Sequence, residues 1–301
     1  MRHGRNPFIV GFLTAPVILY VFFVILPYVE AFYYSFTSWH GFQKAEWVGI
    51  DNYKKMFDDD TFWKAVTHNG IILLLLPLAT LIIALFFAFL LNVGGKAKAG
   101  VSQGVRGSKF YRLVFFFPQL LAVPIVAVLF QSVYRPDKSG VLNGILGFFG
   151  VKPVGWLIEP NIALLMLIAV MVWQAIGFYV VLFSAGMSSI PAEIYEAAEL
   201  DGATPATTFR RITLPLLWGN IQTAWVYLGV AAFDAFAIVD VLSNNQGGPD
   251  FSTTVLSEEI YKATLAGKYG YATTLGVALF FLTATFAVIA FTTTKRETIE
   301  Y

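Results

Sequence analysis

The amino-acid sequence predicts an all-α membrane protein with six transmembrane helices. Of its 301 residues, 57% are hydrophobic and 13% are charged, and the mean hydropathy is +0.68, whereas soluble domains carry about 25% charged residues. Six apolar runs are each long enough to cross a hydrocarbon core, which needs about 20 helical residues. Lipid admits only helices or closed barrels, and the alternating pattern of barrel strands is missing. The spanning elements are therefore predicted to be helices.

The six runs follow one another along the whole chain. They lie near Phe8 to Phe36, Ile71 to Leu91, Phe110 to Val133, Ile162 to Ala185, Leu216 to Leu242 and Tyr271 to Phe291. The first run follows Arg2 and Arg5 as a signal peptide would, but it is too long and lacks a small-residue cleavage site, so we expect it to be retained. Because no internal repeat or low-complexity linker is visible, residues 1–301 are predicted to form a single transmembrane domain.

Charged residues in the loops predict the orientation. The loop from Asn92 to Arg112 carries five cations and no acid, which places it in the cytoplasm by the positive-inside rule, together with both termini. The three external loops, about Thr37 to Asn69, Tyr134 to Asn161 and Ser243 to Gly270, are long and aromatic. They could bind a partner, or their aromatic residues could only anchor the bundle at the interface. A net charge of +1 predicts no nucleic-acid partner, and the absence of Cys excludes disulfides.

A charged segment at about 189–217, interrupted by Gly202, lies between the fourth and fifth spans and is predicted to be cytoplasmic. A short helix is predicted over Ala192 to Asp201, ending at Gly202, and Thr204 and Pro205 are suited to start a second helix. The first helix carries three carboxylates close to one face: Glu193, Glu196 and Glu199. Two short helices meeting at a rigid corner could seat in a groove of another protein. The alternative is an amphipathic hairpin on the membrane, but its carboxylates would suit an anionic leaflet poorly.

At these residues the chain resembles the permease subunits of binding-protein-dependent ABC importers, whose signature is EAA, three residues, G, nine residues, then I-x-LP. The resemblance implies the type I importer permease fold and a coupling helix that docks in a cleft of a cytoplasmic ATPase. Nucleotide-driven closure of the ATPases would then move the transmembrane helices. The implied coupling residues are Glu196, Ala197, Ala198, Asp201, Gly202, Ile212, Leu214 and Pro215. One departure is Gly219, where many members carry proline, and we expect a softer start of the fifth span there.

Other phrases resemble the carbohydrate branch of that family. They are GFLTAPVILY near the start, GIDNY at Gly49 to Tyr53, SNNQGGP at Ser243 to Pro249 and YGYAT at Tyr269 to Thr273. The sequences just before the basic loop and just before EAA are similar to those of actinobacterial permeases for N-acetylglucosamine and chitobiose. The resemblance implies a bacterial cell membrane, a second permease subunit, two copies of an ATPase that binds ATP and Mg, an extracellular solute-binding lipoprotein and a sugar substrate. It implies no cofactor in this chain.

Acidic residues in apolar spans are candidate substrate contacts, because each costs about 2.5–3.5 kcal/mol at mid-membrane. Glu30 and Asp240 lie near external helix ends and could have only structural roles. Asp234 lies six residues deeper than Asp240, roughly 9 Å along a helix, in the segment whose counterparts in the family line the sugar path. Asp234 is therefore the preferred candidate.

The fourth span supplies the other candidate contacts. They are Met171, Trp173, Gln174, Ala175 and Phe178, in the segment that matches the family's substrate-lining helix. Aromatic faces suit the C–H surface of a sugar ring, and an amide can exchange hydrogen bonds with hydroxyls or acetamides. Gln174 is expected to face the bundle and not lipid. In the alternative interpretation it only bonds another helix.

No catalytic or metal site is predicted. His3, His40 and His68 form no HExxH motif, and no phosphate-binding loop is present. An intramembrane aspartyl enzyme using Asp234 and Asp240 is a remote alternative, because six residues on one helix place them about 240° apart, which prevents a shared-proton pair. An importer for a non-sugar solute such as peptides would keep the coupling loop and change only the cargo.

Overall fold

The structure is a computed structural model that describes residues 5–93, 105, 107–244 and 247–294. Its described residues are helical apart from turns, loops and one isolated β-bridge between Thr37 and Trp47. The prediction of an all-α membrane fold is confirmed. Among the described residues, four helices are long and apolar enough to span a membrane, and the number of spans reaches six when each of two bent helix pairs is taken as one span.

The helices are numbered in chain order. The α-helices are α1 (Arg5–Tyr20), α2 (Leu26–Tyr34), α3 (Asp51–Phe57), α4 (Asp60–Val93), α5 (Ser108–Phe116), α6 (Val123–Val133), α7 (Val141–Phe148), α8 (Pro160–Ser188), α9 (Ala192–Leu200), α10 (Pro205–Thr208), α11 (Leu214–Leu216), α12 (Trp218–Phe233), α13 (Phe236–Leu242), α14 (Leu256–Leu265) and α15 (Tyr269–Thr294). Short π-helices cover Val21–Ile25 and Phe209–Thr213, and 3-10 turns cover Phe117–Leu120 and Pro249–Phe251.

Two predicted spans are broken where the sequence suggested straight helices. The pair α5 and α6 is bent by 98°, and the pair α12 and α13 by 48°. The first break follows from proline chemistry, since Pro118 and Pro124 lack a backbone N–H and flank the extended residues Leu121 and Ala122. At the second break no proline is present, and Asp234 leaves the helical region with φ −100° and ψ 45°.

The chain divides into two compact units. One comprises the chain up to Trp63 together with Glu259–Leu282, and the other comprises Lys64–Glu258 and the chain from Thr283 onward. The boundaries fall within or beside helices and not in a linker. The single-domain prediction stays a prediction.

In the first unit, the GIDNY and YGYAT segments have structural roles. The Asn52 amide of GIDNY donates hydrogen bonds to the carbonyls of Ser35 and Thr37, at 3.0 and 2.8 Å. Gly270 of YGYAT packs against the same turn, where an added Cβ would overlap the Thr37 carbonyl. These residues close the turn that follows α2.

In the second unit, α8 forms the centre of the apolar core. Twelve of its residues are buried, including the fully enclosed Phe183 and Leu167. A Cβ on Gly177 would overlap the Phe115 carbonyl, so α5 crosses α8 at backbone contact. Small residues allow such approach between helices in lipid. The Asn69 amide donates to the Ala232 carbonyl (2.9 Å) and its oxygen accepts from the Leu256 N–H (3.0 Å), which ties α4, α12 and α14 together.

Candidate functional site

A cavity of about 560 Å³ lies in the second unit, where α8 meets both broken spans. It is lined by Leu76, Gln119, Val123, Met171, Gln174, Ala175, Phe178, Tyr179, Leu182, Thr223, Tyr227, Leu228, Ala231, Asp234, Ala235, Phe236, Ala237 and Ile238. The volume is within the range of small-molecule pockets, about 300–1,000 Å³. The lining is mainly apolar with a few polar groups, which is the usual make-up of a ligand site.

Both helix breaks border this cavity, and this position explains why broken helices can be tolerated in a membrane. Non-helical backbone at membrane depth is tolerated only where protein buries it or where it lines a cavity, because its polar groups need partners. At the first break, the Gln174 amide donates to the carbonyl of Leu121 at 3.1 Å. At the second, Asp234 and Ala235 themselves line the cavity. Gln174 therefore bonds a neighbouring segment and faces the cavity at the same time.

Five of the six predicted substrate contacts line the cavity: Met171, Gln174, Ala175, Phe178 and Asp234. Trp173 lies on another face of α8, where its ring packs edge-on against Phe130 with centroids 5.1 Å apart. Trp173 lies with Ala169, Val172 and Ile176 along a neighbouring face of α8, whereas the adjacent Gln174 and Ala175 both line the cavity.

Asp240 lies outside the cavity lining, on α13. Its Oδ1 is buried and has no hydrogen-bond partner among the described residues. The expectation that Asp234 and Asp240 share one straight helix was wrong, because the chain breaks between them. Glu30 lies on α2 in the first unit, where it is exposed.

Four lining residues with polar side chains were not predicted from the sequence: Gln119, Tyr179, Thr223 and Tyr227. Gln119 lies in the 3-10 turn beside the first break, and a glutamine next to Pro118 in an apolar run was a usable signal. Thr223 and Tyr227 are exposed in this chain. Together with Ala231 they follow an i, i+4 spacing, which could have predicted that they lie on one face of a helix.

The cytoplasmic loop has the predicted two-helix geometry. Helix α9 ends at Leu200, Gly202 has a φ of +75°, and the Thr204 hydroxyl accepts from the Thr207 N–H at 3.3 Å as an N-cap. After α10 the chain continues as a π-helix over Phe209–Thr213 and not as an α-helix.

Helix α9 presents an acidic outer face and packs by its inner face. Glu193, Glu196 and Glu199 are exposed, and Leu200 is 89% exposed. Ala198 is buried, and Ile194 and Tyr195 pack against the core. Of the remaining loop residues, Ala197, Asp201, Gly202 and Pro215 are exposed, and Ile212 and Leu214 are half-buried. This arrangement leaves a carboxylate-rich surface with one large apolar side chain open to a partner.

Packing joins the loop to the helices that line the cavity. An added Cβ on Gly186 of α8 would lie 2.7 Å from the Leu217 side chain, between α11 and α12. The Tyr195 hydroxyl is 3.4 Å from the Thr213 hydroxyl. The helix is interrupted at Leu217 (φ −85°, ψ 3°), just before Gly219, where a softer start was expected. Helix α9 thus contacts the segment that leads into α12, and α8 packs against the same segment.

A polar network lies at the same end of the bundle. Arg112 of α5 donates to the Asn92 side-chain oxygen at 2.7 Å, and the Asn92 amide donates to the Ser184 hydroxyl at 3.0 Å. These bonds join α5, α4 and α8. Three of the five cations in the loop that predicts the orientation, Lys96, Lys98 and Arg106, lie outside the described residues, so the orientation stays a prediction.

The chain belongs to the family of binding-protein-dependent transport system inner membrane components, whose model matches residues 94–294. It is a transport-system permease and not an enzyme, which excludes the aspartyl-enzyme alternative. The resemblance stated from the EAA residues is confirmed.

Curated relatives match almost the whole chain. The diacetylchitobiose uptake system permease protein NgcF of Streptomyces coelicolor is 39% identical over 296 residues, 97% of this chain and 83% of the relative. The multiple sugar-binding transport system permease protein MsmF of Streptococcus mutans is 32% identical, covering 95% of this chain and 94% of the relative. The sn-glycerol-3-phosphate transport system permease protein UgpA of Salmonella typhimurium is 31% identical, covering 95% and 94%.

A solved structure shares the fold. A chain of a bacterial ABC transporter involved in the import of the acidic polysaccharide alginate superimposes with a TM-score of 0.79, 24% identity and coverage of 98% of this chain and 97% of that chain.

Proposed function

We propose that this chain forms half of the translocation path of an ATP-driven sugar importer and that the cavity between α8 and the two broken spans holds the passing sugar. The cargo is N-acetylglucosamine, chitobiose or another mono- or oligosaccharide. The observation that carries the proposal is the convergence of both helix breaks, Gln174 and Asp234 on one cavity. The names of the chitobiose and multiple-sugar relatives support the cargo class.

The lining favours a neutral solute over an anionic one. It contains the carboxylate of Asp234 and neither Lys nor Arg among the described residues. An anion beside an unpaired carboxylate is repelled, most strongly in a low-dielectric site. Hydroxyls and acetamides, in contrast, can donate to Asp234 and exchange hydrogen bonds with Gln119 and Gln174. This argues against a cargo such as the sn-glycerol-3-phosphate named for UgpA.

The exposed face of α9 is proposed as the ATPase-docking surface. The acidic face and Leu200 are open, and the packing of α9 on the core would pass motion to the cavity. The proposed assembly contains a second permease, two cytoplasmic ATPases that bind ATP and Mg, and an extracellular solute-binding lipoprotein, in a bacterial cell membrane with both termini inside. A related solved transporter is described in complex with an alginate pentasaccharide-bound periplasmic protein.

Asp234→Ala is expected to lower sugar uptake about tenfold or more, because a hydrogen bond to a charged group contributes about 1.5–3 kcal/mol. Asp240→Ala is the matched control and should change uptake less than about twofold, since it removes a carboxylate outside the cavity whose Oδ1 has no partner. The measurement is ATP-dependent uptake in vesicles at equal amounts of assembled complex. Equal losses in the two variants, or a larger loss in Asp240→Ala, would remove Asp234 from the substrate path.

A further inference from the structure

The hairpin between α6 and α8, which is external in the predicted orientation, is held by hydrogen bonds of one side chain. Asn143 of α7 is buried, and its amide donates to the carbonyls of Arg135 and Val154, both at 2.9 Å. Its oxygen accepts from the Val154 N–H at 3.0 Å and from the Trp156 indole at 3.1 Å. All four hydrogen-bonding positions of this side chain are used, so α7 is held against both limbs of the hairpin.

This bonding fixes α7 close to the ends of two membrane spans. Arg135 lies two residues after the end of α6 at Val133, and Val154 lies six residues before the start of α8 at Pro160. The hairpin is at the opposite end of α8 from the cytoplasmic loop, and a helix of 29 residues is roughly 43 Å long. That length exceeds the hydrocarbon core of about 30 Å. With α8 spanning the membrane in the predicted orientation, α7 is expected at the level of the lipid headgroups on the external side.

The face of α7 opposite Asn143 is apolar and exposed. Val141, Ile145 and Phe148 follow the i, i+4, i+7 spacing of one helical face. Phe148 is 90% exposed and the next residue, Phe149, is 79% exposed. Such a face, next to two membrane spans, is typical of a helix lying in the plane of the interface.

A cavity of about 460 Å³ adjoins this face at Phe148. Lys138 and Lys152 line it, with no acid among the lining residues, and its other walls are Asn143, Gly144, Gly147, Phe148, Gly150, Val151 and Pro153. Neither lysine has an ion-pair partner among the described residues. The nearby Asp137 carboxylate is 3.6 Å from Arg135, and hydrogen bonds from Ser139 lower the pKa of Asp137. Arg135 therefore balances Asp137, and the two lysines leave the cavity positively charged.

We propose that this hairpin binds an anionic phospholipid of the external leaflet, with the headgroup phosphate between Lys138 and Lys152 and the acyl chains along Ile145, Phe148 and Phe149. Charge complementarity, the open cavity and the adjoining apolar face at interface depth together define the ligand class. Bound lipid would hold the external ends of α6 and α8 at a fixed depth. The site is separate from the transport cavity and does not depend on its cargo.

The test titrates phosphatidylglycerol onto the detergent-solubilised importer complex and counts bound lipids by native mass spectrometry. The double variant Lys138→Gln/Lys152→Gln is expected to lower the apparent affinity about twenty-fivefold, because each basic side chain near an anionic surface contributes a factor of roughly five. Gly147→Leu should also displace the lipid without a charge change, since a Cβ at Gly147 meets nothing within 4 Å and only fills the cavity.

The matched control is Lys55→Gln/Lys268→Gln, which removes the same charge from exposed lysines elsewhere and should leave the affinity within about twofold. Phosphatidylcholine, which carries no net charge, should not replace phosphatidylglycerol. Equal losses in both double variants would overturn the proposal. Unchanged lipid binding in the Lys138/Lys152 and Gly147 variants, with weakened binding of the solute-binding protein, would instead assign the surface to that protein and would also overturn it.

Discussion

Glu196→Lys is expected to abolish ATP-driven uptake, by at least about a hundredfold, while the subunit remains folded and inserted in the membrane. Glu196 is exposed on α9 between Glu193 and Glu199, and its side chain takes no part in the core. Reversal of a charge at a protein interface costs several kcal/mol through repulsion of the partner's complementary charge. The measurement is uptake together with the ATPase activity of the complex stimulated by the loaded binding protein.

Glu159→Lys is the matched control, because Glu159 is an exposed glutamate at the other end of α8. This variant should assemble with the ATPases and retain the coupling between ATP hydrolysis and uptake. Normal transport by Glu196→Lys, at normal levels of complex, would contradict the assignment of α9 as the ATPase-docking helix.

Gly177→Val is expected to prevent assembly of a stable subunit. Any Cβ at Gly177 would overlap the carbonyl of Phe115, and the neighbouring backbone of Phe116 leaves no room to relax. Because the obstacle is backbone and not a flexible side chain, α5 would have to move away from α8, at a cost of at least about 3 kcal/mol. The yield of purified complex and its melting temperature would measure the loss.

Gly219→Val provides the comparison. Gly219 is helical, and an added Cβ there meets nothing within 4 Å. This variant should keep the yield and shift the melting temperature by only a few degrees, since exposed substitutions stay within about 0.5 kcal/mol. Equal stability of the two variants would show that α5 and α8 do not cross at backbone contact.

The sequence predicted the elements that depend on local chemistry. The six apolar runs coincide with the four candidate spans and the two bent helix pairs of the described residues, because each run must match the hydrocarbon thickness. The loop at Gly202, Thr204 and Pro205 was predicted correctly because its signals are local. A glycine after a helix, an N-cap and a first-turn proline each set the backbone conformation only within the neighbouring turn. The start of α4 at Asp60, instead of near Ile71, was missed because polar residues extend the helix beyond the apolar run.

The breaks and the composition of the cavity depend on tertiary context. Hydropathy along the chain does not report the angle between successive helices, so the 98° bend at Leu121 and Ala122 could not be predicted from it. When a helix is apolar on all sides, its hydropathy does not show which face lines a cavity. Trp173 was therefore predicted as a substrate contact together with Gln174, although of these two only Gln174 lines the cavity. Gln119 enters the lining because the chain turns beside it; Pro118 signals a turn in the sequence, but the direction of that turn depends on tertiary packing.

The most direct test of the central claim is ATP-dependent uptake into vesicles that contain this chain with its partner permease, an ATPase and the solute-binding protein. Labelled N-acetylglucosamine, chitobiose, maltose, trehalose and a peptide mixture would be compared. The account predicts that sugars enter only with ATP, with the amino sugars preferred and peptides excluded. Uptake of peptides alone, or sugar uptake that does not need ATP, would contradict it.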